Sequence, residues 1–129
     1  MPVLKFSMIR GRSPAEIRAI LDVTHEIVVA TLGVPERDRY HIVTEHDASH
    51  LIALDTGLDI PRSQDFLMVE LVSRPRTQEQ KLSFYASLTE ALATECEILS
   101  SDVMIYFVEN ADVDWSFGLG RAQFITQEL

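Results

Sequence analysis

Sliding this chain along itself by 64 residues lays Arg10 on Arg74, Arg12 on Arg76, Ser13 on Thr77, Asp38 on Asp102 and Glu45 on Glu109. The matching order of elements carries more weight than the identities. In the first half, Leu4, Phe6 and Met8 alternate with Lys5 and Ser7, the period of a strand with one buried face. Gly11 ends that run. Ser13-Pro14-Ala15-Glu16 is then a capping box with proline at the first helical position. Ile17, Ile20, Leu21, Thr24, Val28 and Leu32 recur at helical spacing up to Gly33, and a second strand follows near Tyr40 to Thr44. The second half repeats the plan. Asp65 to Val72 reads as a strand, Thr77 to Gln80 as a second capping box, Leu82, Tyr85, Thr89, Leu92 and Cys96 as a helix, and Val103 to Glu109 as the closing strand.

Two βαβ units of about residues 2–46 and 65–110 predict an α/β (α+β) fold. Its four strands form one mixed sheet with two helices on one face. The length of 129 residues suits one domain. Between the units, residues 45–64 read as a loop with a short strand at Leu51 to Leu54. The tail from Asn110 carries Trp115, Phe117, Phe124 and Ile125 around Gly118 and Gly120, which predicts a C-terminal hairpin. A short tail does not bury that much aromatic surface alone, so it is expected to pack on a neighbouring subunit or to roof a pocket.

Charge and cysteine content narrow the function. A net charge of −9 disfavours nucleic-acid partners and gives an anionic substrate no help from the global field. Such a substrate needs a local arginine cluster. No apolar run reaches the ~18 residues of a membrane span, the N-terminus has no secretory pattern, and the single cysteine, Cys96, cannot form an internal disulfide. A cytoplasmic protein is expected. His25, His41, His46 and His50 follow no recognised ligand spacing, and His25 lies on a helix far in sequence from the others, so no metal site is expected.

Three features bear on chemistry. Pro2 becomes a free secondary amine if Met1 is removed, and such an amine can protonate, donate a hydrogen bond or attack a carbonyl. Arg74 and Arg76 flank Pro75 just before a helix start, where two guanidinium groups and the first-turn amides can converge on one carboxylate. They are equally readable as a solvated pair. Asp38 sits in a polar turn between Arg37 and Arg39, either as a turn former in an ion pair or as a functional carboxylate.

Taken together, these pieces resemble the tautomerase superfamily, whose members use an amino-terminal proline. Within it the chain is similar along nearly its whole length to the malonate semialdehyde decarboxylase branch. The matching stretches are LKF (4–6), GRS (11–13), GVPERDRY (33–40), DTGL (55–58), SRPRTQEQK (73–81), SSDV (100–103) and VENADVDWSFGLGRAQF (108–124). The resemblance implies catalytic roles for Pro2, Asp38, Arg74 and Arg76, and an apolar pocket wall of Trp115, Phe117, Phe124 and Leu129. It also implies a homotrimer that acts without a cofactor on a small anionic 3-oxo or unsaturated acid. The expected reaction is decarboxylation of malonate semialdehyde to acetaldehyde and CO2. Hydration or dehalogenation of short unsaturated acids, tautomerisation, and a trimeric ligand-binding module without turnover are the alternatives.

Overall fold

A computed structural model describes residues 1–129. The strands are β1 (Pro2–Ile9), β2 (Tyr40–His46), β3 (Leu67–Ser73) and β4 (Val103–Glu109); the helices are α1 (Pro14–Leu32) and α2 (Gln78–Cys96). They form one sheet in the order β2-β1-β3-β4. β1 runs parallel to β2 and β3 parallel to β4, while the two inner strands β1 and β3 are antiparallel. Each half is therefore a βαβ unit, and the halves meet along β1 and β3. The helices begin and end 64 residues apart, as the repeat requires.

Both helices start where the sequence says they should. Ser13 Oγ accepts from the Glu16 amide while Glu16 reaches back to the Ser13 amide, and Thr77 and Gln80 do the same for α2. Both end on a left-handed residue. In α1 this is Gly33 at φ 67°, where glycine carries no steric penalty, and in α2 it is Glu97 at φ 58°.

The core lies between the helices and one face of the sheet. Leu4, Phe6 and Met8 of β1 and Leu67, Val69 and Leu71 of β3 are 0–1% exposed and pack with Ile20, Val28, Leu32, Phe84, Leu88 and Leu92. The opposite sheet face is open. Tyr40 and Ile42 of β2 and Met104, Tyr106 and Val108 of β4 are 36–51% exposed there. No helix is long and apolar enough to cross a membrane.

Three readings need correction. The buried face of α2 is Phe84, Leu88 and Leu92, whereas Leu82 is exposed. Two overlapping apolar stripes run down this helix and share Leu92, so spacing alone could not choose between them. The tail forms no hairpin. Gly118, Leu119 and Gly120 all have positive φ (128°, 61° and 67°), a run that no strand accommodates. The Gln123 side chain takes over the role of a ladder by accepting from the Phe117 amide and donating to the Gly118 carbonyl. Leu51 to Leu54 are not a strand either. Next to them Asp55 gathers the amides of Gly57, Asp59 and Ile60 within 3.0 Å, which holds its carboxyl at about 2 and fixes a compact loop. His25, though far in sequence from the other histidines, has its ring edge-on to that of His41 at 5.9 Å between centroids.

The corrected face of α2 is testable by urea unfolding. Leu88→Ala should cost about 2–5 kcal/mol, and Leu82→Ala less than about 0.5 kcal/mol. Equal losses at the two positions would contradict the packing.

Candidate active site

The antiparallel register of β1 and β3 pairs Pro2 with Ser73. This one pairing brings the start of the chain beside the loop that carries Arg74 and Arg76. Pro2 itself is buried. The Met1 ammonium lies 2.9 Å from Asp38 Oδ2. Asp38 reaches it from the turn before β2, held where its amide donates to the Pro35 carbonyl at 3.0 Å. Its carboxylate is 8% exposed and has no other polar partner in the protein. Burial lowers the amine's pKa below that of an ordinary N-terminus. The Asp38 carboxylate pulls it up, and Arg76 and Arg74 push it down further.

Asp38 is thus not ion-paired with its sequence neighbours. Arg39 turns away to Asp22 at 2.7 Å and donates from Nε to His41 Nδ1. Behind the turn, the buried His25 donates from Nε2 to the Glu36 carbonyl, tying the Asp38 turn to α1. Burial, with Arg39 alongside, lowers the His41 pKa to about 4, so that ring stays neutral near pH 7.

The arginines are fixed by different partners. Arg76 donates from Nε to Ser73 Oγ and from Nη1 to the Leu32 carbonyl, both at 3.0 Å, which leaves Nη2 free. Burial and the nearby Arg74 lower its pKa. Arg74 makes a two-point pair with Asp112, Nε to Oδ1 at 2.7 Å and Nη2 to Oδ2 at 3.0 Å. Its guanidinium also lies 4.2 Å from the centroid of Phe124. Phe124 meets Phe117 edge-on, Phe117 stacks on Trp115 at 5.5 Å and also faces Tyr40. The Trp115 indole donates to Asn110 Oδ1, and the Asn110 amide donates to the Ser73 carbonyl. The tail therefore folds back over the same end of the sheet, and three of its four expected wall residues form one aromatic cluster. Leu129 is 63% exposed and outside that cluster.

Several contributors were not legible in the sequence. Asp112, Ser73, Asn110 and His25 act through partners distant in sequence or through backbone groups, which spacing does not report. The only early signal for Asp112 was its place in the 108–124 stretch. At the far end of β1, Arg10 pairs with Asp47 and Arg12 donates to the Asp65 carbonyl at 2.6 Å. A cavity of about 270 Å³ there is bounded by Arg10, Arg12, Glu16, Asp65, Cys96 and Glu97. It lies a strand length from Pro2, and its arginines are outnumbered by carboxylates.

The comparisons agree with this fold. A family model described as "Tautomerase enzyme" matches residues 38–118, and a second with the same description matches residues 2–59. The chain belongs to the tautomerase family. It is 45% identical over 129 residues, the whole of both chains, to the "Probable tautomerase YrdN" of Bacillus subtilis (strain 168). It is also similar to crystal structures of malonate semialdehyde decarboxylase described for its decarboxylase and hydratase activities. There the identity is 45%, the TM-score 0.96 and the coverage 98% of each chain. A second such enzyme, FG41 malonate semialdehyde decarboxylase inhibited by 3-bromopropiolate, matches at 41% identity and TM-score 0.93 over 98% of this chain and 97% of that one.

The ion pair with the amine gives a signed prediction. Asp38→Asn removes the charge that raises the amine's pKa while leaving burial and both arginines in place, so that pKa should fall further. A titration of the N-terminal nitrogen by NMR checks this, and an unchanged or raised pKa would break the assigned contact.

Proposed function

We propose that this chain is a cofactor-free carboxy-lyase that converts malonate semialdehyde to acetaldehyde and CO2, with the amino-terminal proline as its reacting group. The observation that carries the reading is the meeting, at one strand end, of Pro2 with the Met1 ammonium that precedes it, Asp38, and the Arg74–Arg76 pair. Similarity at 45% identity to malonate semialdehyde decarboxylase supports the same choice of substrate.

Loss of CO2 from a 3-oxo acid breaks the bond between the carboxylate and the carbon next to the aldehyde. The electron pair flows towards the carbonyl, and that carbon is then protonated. The enzyme must therefore draw electrons into the carbonyl. Protonated Pro2 does so by donating a hydrogen bond to the aldehyde oxygen. Neutral Pro2 does so by adding to the aldehyde and expelling water to form an iminium; loss of CO2 leaves an enamine, which is protonated at carbon, and hydrolysis of the resulting iminium releases acetaldehyde and frees Pro2. Arg74 and Arg76 hold the carboxylate, each through its free terminal nitrogen, and turn the breaking bond out of the carbonyl plane. The wall of Trp115, Phe117 and Phe124 favours release of neutral CO2. Asp38 supports the amine's charge and, with an unsaturated acid bound, activates water. Hydration of such acids is the second reading, favoured by the buried Asp38 carboxylate beside the amine.

The active form begins at Pro2, because Met1 turns the proline nitrogen into an amide without a basic lone pair. The open sheet face carrying Ile42, Met104, Tyr106 and Val108 supports assembly as a homotrimer.

Product analysis with malonate semialdehyde, beside intact-mass measurement of the same preparation, tests the reading. Acetaldehyde and CO2 are expected from protein lacking Met1, and turnover by protein that quantitatively retains Met1 would refute it. Reductive trapping of a substrate adduct on Pro2 distinguishes the iminium route from the hydrogen-bonding route. Arg74→Ala and Arg76→Ala should each lower kcat/KM by about 10- to 150-fold, the loss of a charge-assisted contact of about 1.5–3 kcal/mol. Arg10→Ala should leave kcat/KM of the folded protein near wild type. An equal loss there would place the substrate elsewhere.

A further inference from the structure

We propose that Asp112 sets the charge that the site accepts and so makes it selective for acids with a single carboxylate. The inference rests on the reading of the Pro2 end as the substrate site and adds to it a residue that discriminates between ligands. Its basis is the difference between the two arginines. Arg76 is held by neutral acceptors, Ser73 Oγ and the Leu32 carbonyl, so its positive charge is not matched by a carboxylate. Arg74 is matched by Asp112 through both of its carboxylate oxygens. Asp38 pairs with the terminal ammonium, that of Met1. Two guanidinium groups thus stand against two carboxylates, and the terminal amine supplies the surplus charge when it is protonated.

One bound carboxylate brings that cluster to neutrality. A second leaves an unmatched anion beside the face of Trp115, Phe117 and Phe124, and a chain of net charge −9 offers no long-range compensation. Asp112 is well placed to exert this effect. It lies in a short turn (Asp112–Asp114) in which Asp114 is occupied by the Ala111 amide at 2.7 Å and is not available as a substitute. The Asp112–Arg74 pair also presses the guanidinium onto Phe124, which leaves Nη1 as the nitrogen without a protein partner. Asp112 and Arg74 are 40% and 41% exposed, so solvent moderates the effect, and about a tenfold change in preference is expected.

The test compares two three-carbon ligands by calorimetry near pH 7.5, 3-hydroxypropionate with one carboxylate and malonate with two. Wild type should bind the monocarboxylate more tightly. Asp112→Asn, which keeps an acceptor for Arg74 but removes the charge, should shift the ratio of dissociation constants towards malonate by about tenfold. Asp112→Glu, which restores the charge, should return the ratio towards wild type. A merely structural role would weaken both ligands alike and leave the ratio unmoved in a folded Asp112→Asn protein, and that result would overturn the inference. Arg76→Ala separates the two levels of the argument. If ligand binding survives its loss, or neither ligand binds wild type, the site itself is misassigned and this inference falls with it. If binding needs Arg76 but the ratio ignores Asp112→Asn, the role of Asp112 alone is refuted.

Discussion

The pairing of β1 with β3 is the joint on which both the fold and the site depend. Each βαβ unit by itself exposes one long edge of its first strand. Joining the two edges antiparallel closes the sheet and lets Leu4, Phe6 and Met8 share a core with Leu67, Val69 and Leu71. The side-chain period of two fixes this register tightly, because a slip of one residue would turn the apolar set of either strand away from the helices. The same register brings Pro2 opposite Ser73. The alignment that makes the core therefore also sets the amine beside the arginine loop, and the two cannot be varied separately.

The repeat makes the two ends of that joint comparable. Asp38 and Asp102 hold matching places in their units and both are buried, at 8% and 1% exposure. Asp102 is satisfied internally, accepting from the Ser63 amide and hydroxyl at 2.7 and 2.5 Å. Asp38 receives no such donor from the fold and meets the chain's own amine instead. A buried carboxylate with no structural donor is costly to retain for stability alone. In the second unit the chain continues through Asp65 and Phe66, so no amine exists to meet Asp102. The plan is the same at both ends, and the free N-terminus is what distinguishes one from the other.

Much of this was readable in the sequence because it depends on local chemistry. Strand alternation and capping boxes are set by residues within a few positions of one another, and Ser13–Glu16 and Thr77–Gln80 fixed both helix starts. The tail defeated the same logic. Gly118 and Gly120 are common hairpin residues, but Leu119 between them also adopts positive φ, and a Gln123 side chain, not a partner strand, satisfies the backbone. The α2 face was ambiguous for a related reason. Leu82 and Leu88 are six positions apart and cannot share one helical face, and only packing decides which of them goes inside. At the site, Pro2, Asp38, Arg74 and Arg76 stood out by residue type and by resemblance. Asp112 did not, because its partner Arg74 is 38 residues away.

If the strand end takes an anion as proposed, that distant pair accounts for how an acidic protein does so. The global charge opposes a carboxylate, so attraction has to come from groups within a few ångströms, where screening and the rest of the chain matter least. Adding arginines without partners is the simple solution, but Arg76 is already pulled to a lower pKa by burial and by Arg74. A second unmatched guanidinium beside it would raise that repulsion and press the amine's pKa lower still. Matching Arg74 with Asp112 relieves the repulsion while leaving its Nη1 free to donate, and Phe124 beneath it holds the plane of the group. The arginine then serves chiefly as an oriented hydrogen-bond donor and Arg76 as the net charge. This division of labour lets two cations, two carboxylates and the terminal amine share one strand end with each guanidinium held by defined acceptors.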